Sequence, residues 1–166
     1  MRIVTGDLAD PMIVDLLQVH LASSRAQTAP GSAHALDLTG LQAPGITFWA
    51  MWDGDSLVGV GALKRLAPDH GEVKSMHIAQ TRRRTGAGSL MLRHIIEAAR
   101  HAGMRRLSLE TGSWDHFRPA RTLYGKHGFV ACPPFADYRP DPNSVFMTLA
   151  LSAADAPPRP DGPATP

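Results

Sequence analysis

Residues 72–90 read EVKSMHIAQTRRRTGAGSL, and this stretch decides the fold. Its first seven residues, Glu72 to Ile78, read as a strand. From Ala87 the chain turns helical: Met91, Leu92, Ile95, Ile96 and Ala99 recur at i, i+3, i+4 spacing and Gly103 is a natural stop. Between them lies a basic, glycine-containing loop, Arg83-Arg84-Thr85-Gly86-Ala87-Gly88. A helix N-terminus offers unpaired N–H groups and a partial positive charge, so it attracts anions. Gly86 and Gly88 let main chain approach a bulky anion without a Cβ in the way. Arg83 and Arg84 add charge-assisted hydrogen bonds to phosphate oxygens. The pattern R-x-x-G-x-G alone equally suits a solvated basic turn; the strand-loop-helix setting is what makes the amides converge. It lacks the GK[ST] of a P-loop and the third glycine of a dinucleotide fingerprint.

Working outward, Arg2 to Thr5 is a short strand, and Asp10-Pro11 opens a helix carrying Ile13, Leu16, Leu17 and Leu21 on one stripe. Residues 25–45 are irregular, with a short helix near His34 to Leu38. Ile46 to Trp52 and Leu57 to Leu63 are strands around the turn signal Asp53-Gly54. Downstream come a strand from Arg106 to Thr111, a helix from Pro119 to His127 stopped by Gly128, a short strand from Phe129, and a last strand from Ser144 to Leu151. The order predicts an α/β fold, a mixed and mostly antiparallel central sheet flanked by helices. Residues 1–151 read as one domain and the Pro/Ala-rich residues 152–166 as a disordered tail.

Composition sets the frame. Of 166 residues, 43% are hydrophobic and 19% charged, as in ordinary globular proteins, and the net charge of +2 is too small to imply a polyanionic partner. One short basic run without interleaved aromatics argues against a nucleic-acid surface. The single cysteine, Cys132, forms no internal disulfide and fits a reducing, cytoplasmic setting. No run of apolar residues is long enough to span a bilayer, so no membrane partner is expected. The eight histidines show no metal-ligand spacing, and His94 and His101 read as helix-surface residues. Trp49 and Trp52 read as core or pocket wall. No metal is expected.

Arg83-x-x-Gly86-x-Gly88 after a strand, followed by Ala120-x-x-Leu123-Tyr124-x-x-x-Gly128-Phe129, resembles the GCN5-related N-acetyltransferase (GNAT) family over roughly residues 45–150. The resemblance implies the acyl-CoA N-acyltransferase fold and acetyl-CoA as co-substrate, its pyrophosphate held by the amides of Gly86, Ala87, Gly88 and Ser89 with Arg83 and Arg84. It implies that the strand at Met76, His77 and Ile78 parts from its neighbour and bonds the pantetheine amides through its backbone. It implies an acetyl group moved onto an amine of a small molecule or a protein, by direct attack in a ternary complex. A homodimer is compatible with what is frequent among relatives. The N-terminal third matches less distinctively, and in this family that region helps choose the acceptor.

Three side chains are catalytic candidates. Tyr124 stands where the family presents a phenol to the cofactor sulfur, and its proton can go to the departing thiolate. Glu72 stands where the family commonly places the group that takes the amine's proton; the competing reading is a strand-end carboxylate paired with Lys74. Glu110 shares a strand face with Ser108, opposite Leu107 and Leu109, and competes as base or amine ligand. Water remains a third route. Arg139, in the proline-stiffened segment 137–144, and Arg118 are candidate acceptor ligands. A non-catalytic acyl-CoA sensor of the same fold is the alternative to an enzyme, and Tyr124 and Glu72 argue against it.

Overall fold

A computed structural model describes residues 1–151; the expected tail, 152–166, lies outside the described residues. The elements in chain order are β1 (Arg2–Thr5), α1 (Pro11–Ala26), α2 (Leu38–Leu41), β2 (Ile46–Asp53), β3 (Ser56–Ala67) and β4 (His70–Ile78). There follow α3 (Ala87–His101), β5 (Arg106–Gly112), α4 (Arg118–Lys126), β6 (Val130–Ala131) and β7 (Ser144–Ala150). All seven strands join one sheet in the order β1-β2-β3-β4-β5-β7-β6, antiparallel except for the parallel pair β4 and β5. The mixed, mostly antiparallel sheet expected from the sequence is the sheet observed.

Alternation along the strands divides the core in two. Trp49 and Met51 of β2 point to one face, packing with Met91, Leu92 and Ile95 of α3 and Leu107 and Leu109 of β5. Phe48 and Ala50 point to the other, with Ile13 and Leu17 of α1 and Leu41 of α2. The period of two in a strand and of 3.6 in a helix produces this layering. Each fully buried aliphatic chain contributes about 1.5–3 kcal/mol, so the α3 stripe is a large share of the stability.

Local chemistry moves some boundaries. The Asp37 carboxylate accepts from the Gly40 amide at 2.8 Å and starts α2 at Leu38, later than the sequence suggests. Strand β4 begins at His70, ahead of Glu72, where it aligns with Arg106 of β5. Helix α4 begins at Arg118 with Pro119 in its first turn. His94 departs from the surface reading: it is half-buried, its ring edge-on to Trp49 with centroids 4.9 Å apart.

Two irregularities shape the site. Strands β4 and β5 align over only His70, Gly71 and Glu72 against Arg106, Leu107 and Ser108, after which they diverge. Beyond that fork, Ser75 adopts a left-handed φ of 49°, where the register of β4 against β3 shifts. A bulge of this kind bends its strand and re-aims neighbouring side chains.

Candidate active site

The fork between β4 and β5 opens a cavity of about 650 Å³, walled by α1 and the segment after it on one side and by α4 on the other. At one end lies the start of α3. Gly86, its N-cap, has φ +85°, and an added Cβ would meet nothing within 4 Å, so conformation rather than space requires glycine there. No side chain caps this end and no acidic residue occupies its first turn, leaving the N–H groups for an anion. Gly88 answers a different need: a Cβ there would stand 3.1 Å from Leu123 of α4. The arginine run divides its work. Arg82 is ion-paired with Asp53, whereas Arg83 and Arg84 line the cavity.

Of the other residues singled out in the sequence, Met76, His77, Ile78 and Ser89 line the cavity, while Ala87 is buried at 1% exposure beneath the α3 terminus. Tyr124 and Glu110 face the same space from α4 and β5. Tyr124 is 8% exposed and its hydroxyl makes no hydrogen bond among the described residues. Burial, aided by the Glu110 charge, pushes its pKa up to about 12, so the phenol keeps its proton. Burial also raises the pKa of Glu110, making it a readier base than an exposed carboxylate.

Glu72 sits elsewhere. It is 2% exposed and outside the cavity lining, with the Tyr138 hydroxyl donating to its Oε1 at 2.5 Å and the Lys74 ammonium 3.3 Å away. Lys74 also donates to the Tyr138 hydroxyl at 2.8 Å and to the His34 carbonyl at 3.0 Å, fastening the segment after α1 to β4. The ion pair named as the competing reading of Glu72 is thus present. Arg139 is exposed and off the cavity; Arg118 is exposed beside Ser89 in a shallow groove of α4. Trp49 is core, and neither it nor Trp52 reaches the cavity. Cys132 is half-buried and also off the cavity.

Sequence reading missed the role of α1. His20 packs at a tilt against His77, the two Nδ1 atoms 3.2 Å apart, so that one ring donates to the other. Burial lowers both pKa values to about 4 and keeps the imidazoles neutral. One turn on, Ser23 Oγ lies 3.4 Å from His116 Nε2. These contacts span 57 and 93 residues and leave no local signal, although His20 on an amphipathic helix beside an apolar stripe marks a polar edge facing something.

An uncapped helix start, a strand fork and a buried phenol thus meet around one cleft. Residues 15–129 match the Acetyltransferase (GNAT) family, and the chain belongs to it. It is 51% identical over 151 residues to the uncharacterised N-acetyltransferase YsnE of Bacillus subtilis, spanning 91% of this chain and all of that one. It is 48% identical over 149 residues to the uncharacterised N-acetyltransferase YedL of Escherichia coli, spanning 90% of this chain and 94% of that one. Among solved structures, a Bacillus subtilis acetyltransferase in complex with CoA superposes with a TM-score of 0.68 at 21% identity, over 91% of this chain and 99% of that one. The chain is therefore an acyltransferase with the fold of this family. No described helix is long and apolar enough to cross a membrane, and among the described residues no group of three or more His, Cys, Asp and Glu is placed to hold a metal.

Proposed function

We propose that the protein transfers an acetyl group from acetyl-CoA to a primary amine by direct attack, with residues 1–151 as one catalytic unit in a cytoplasmic setting. One observation carries the reading: a single cavity joins the uncapped start of α3 to a phenol with no hydrogen-bond partner among the described residues and to the half-buried carboxyl of Glu110. The residues present fit the cofactor. The amides of Gly86 to Ser89, with Arg83 and Arg84, suit a diphosphate, and the unpaired side of β4 suits amide groups.

The cofactor supplies a thioester, in which the acyl carbon–sulfur bond breaks as the carbon–nitrogen bond forms. The amine must lose one proton and the sulfur must receive one. Glu110 takes the amine's proton, directly or through water, because it faces the cavity and its raised pKa lies nearer working pH. Glu72, ion-paired behind Lys74 and Tyr138, supports that wall and acts at the amine only through intervening groups. Tyr124 donates to the sulfur. With a pKa of about 12 it is a weaker acid than a thiol of about 8.5, so it steadies the leaving sulfur by hydrogen bonding, and the proton the amine gave up reaches the sulfur from Glu110 through water, leaving the phenol protonated.

The test is calorimetry with acetyl-CoA alongside thiol release with an amine panel. Wild type should bind and turn over. Gly86→Glu should weaken binding at least about tenfold, through charge at the diphosphate and left-handed strain of about 1–2 kcal/mol. Gly86→Ala, carrying the strain without the charge, should bind better than Gly86→Glu. Equal affinity in all three proteins would remove the site; binding without turnover of any amine would leave a sensor.

A further inference from the structure

The cavity has two unlike halves. Toward α4 it is apolar, lined by Phe117, Ala120, Leu123 and Tyr124. The opposite wall carries His20, Ser23, Ser24, Thr28, Ser32 and His34, all hydroxyl or imidazole groups, with no acidic residue, lysine or arginine among the lining residues of that wall. Two charged side chains of the strands reach this half, Lys74 and Glu110.

Lys74 is already engaged. An ammonium has three protons, and its neighbours are the Glu72 carboxylate at 3.3 Å, the His34 carbonyl at 3.0 Å and the Tyr138 hydroxyl at 2.8 Å. Its charge is balanced by Glu72 and its donors are turned to the protein. An acceptor bearing a carboxylate therefore meets no uncompensated cation here: Arg83 and Arg84 stand at the diphosphate end, and Arg118 and Arg139 are outside the cavity. A polyamine fares no better, since one carboxyl, Glu110, must serve every ammonium. Buried charge without a partner is strongly unfavourable. Hydroxyls and the neutral imidazole of His20 both donate and accept, which complements a partner that does the same. The Ser24 hydroxyl lines this wall and makes no hydrogen bond among the described residues.

Resting on the acetyl-transfer reading, we infer that the acceptor is a monoamine with a neutral, hydroxylated body, of the amino-sugar or amino-alcohol class, gripped by the hydroxyl and imidazole wall of α1 and the segment after it.

The test is initial-rate thiol release at saturating acetyl-CoA with matched amines. Serinol and serine differ by a hydroxymethyl in place of a carboxylate, glucosamine supplies the sugar, and spermidine supplies the polycation. Serinol and glucosamine should exceed serine and spermidine at least about tenfold in kcat/KM, the discrimination typical of a mismatched polar partner. Ser24→Ala should raise the KM of the hydroxylated amine about tenfold. It should leave the acetyl-CoA dissociation constant alone and keep or raise Tm, because alanine is the better helix former; a structural serine would move Tm instead. Serine or spermidine matching the hydroxylated amines, no turnover of the latter by protein that binds acetyl-CoA, or an unchanged KM in Ser24→Ala would overturn the inference. Failure to bind acetyl-CoA would remove the transfer reading, and this inference with it.

Discussion

Replacing Tyr124 with phenylalanine isolates one atom. The ring is held in the core, tilted against Phe129 with centroids 5.9 Å apart, and phenylalanine keeps that packing. The hydroxyl faces the cavity and makes no hydrogen bond among the described residues, so its removal leaves no partner among them unpaired. Stability should therefore hold. Turnover should not. A hydrogen bond to a charged or charging partner contributes about 1.5–3 kcal/mol, which corresponds to roughly 10- to 160-fold in rate. Acetyl-CoA affinity should stay within about twofold, since one ground-state contact to sulfur is weak. Single-turnover thiol release reports the chemical step, calorimetry the affinity, and a thermal melt the fold. Because the phenol titrates near 12, the deficit should be constant across about pH 6–9. Wild-type turnover in a folded, acetyl-CoA-binding Tyr124→Phe protein would refute the role given to the phenol, and parallel losses of turnover, affinity and stability would make it a packing residue.

Lys74→Met should destabilise the protein by about 3–5 kcal/mol in urea melts, because it strands the buried Glu72 carboxylate; adding Glu72→Gln should restore part of the loss, and strict additivity of the two changes would contradict the pairing. His20 and His77 titrate near 4 in the folded protein and near 6.5 when unfolded. As pH falls from about 6.5 to 4 the unfolded chain takes up protons that the native pair refuses. Their contribution, roughly 3 kcal/mol for the coupled pair, is present above 6.5 and lost toward 4. Glu110, raised in the fold, acts in the opposite sense. Urea melts at about pH 7.5 and 4.5 should show the loss, with a shallower slope in His20→Phe; an identical slope would count against the pair.

What the sequence disclosed was what is local. The segment from Glu72 to Ala99 holds strand, anion loop and helix in one continuous reading, and every member of the expected α3 stripe is buried. Glu110 was reachable because strand alternation fixes its face, and Tyr124 because the resemblance to the family marks its position. The environment of Glu72 was not, because Tyr138 arrives from 66 residues downstream on a segment whose sequence drew attention to Arg139 instead. The hydroxyl and imidazole wall was equally hidden: its serines and histidines lie on α1 and in an irregular segment, and only the divergence of β4 and β5 gives them one cavity to face. Insertion of β5 between β4 and β7 is likewise a tertiary choice, made by apolar faces rather than by any turn.

The fork after Glu72 places a bare strand margin inside the molecule rather than on its rim. Along the rim, such a margin invites neighbouring chains to zip on and aggregate. Here, helices stand on both sides of the gap, so the margin is shielded from neighbouring chains while its unpaired main-chain groups still face a cavity, where a small linear ligand carrying its own amides would complete them.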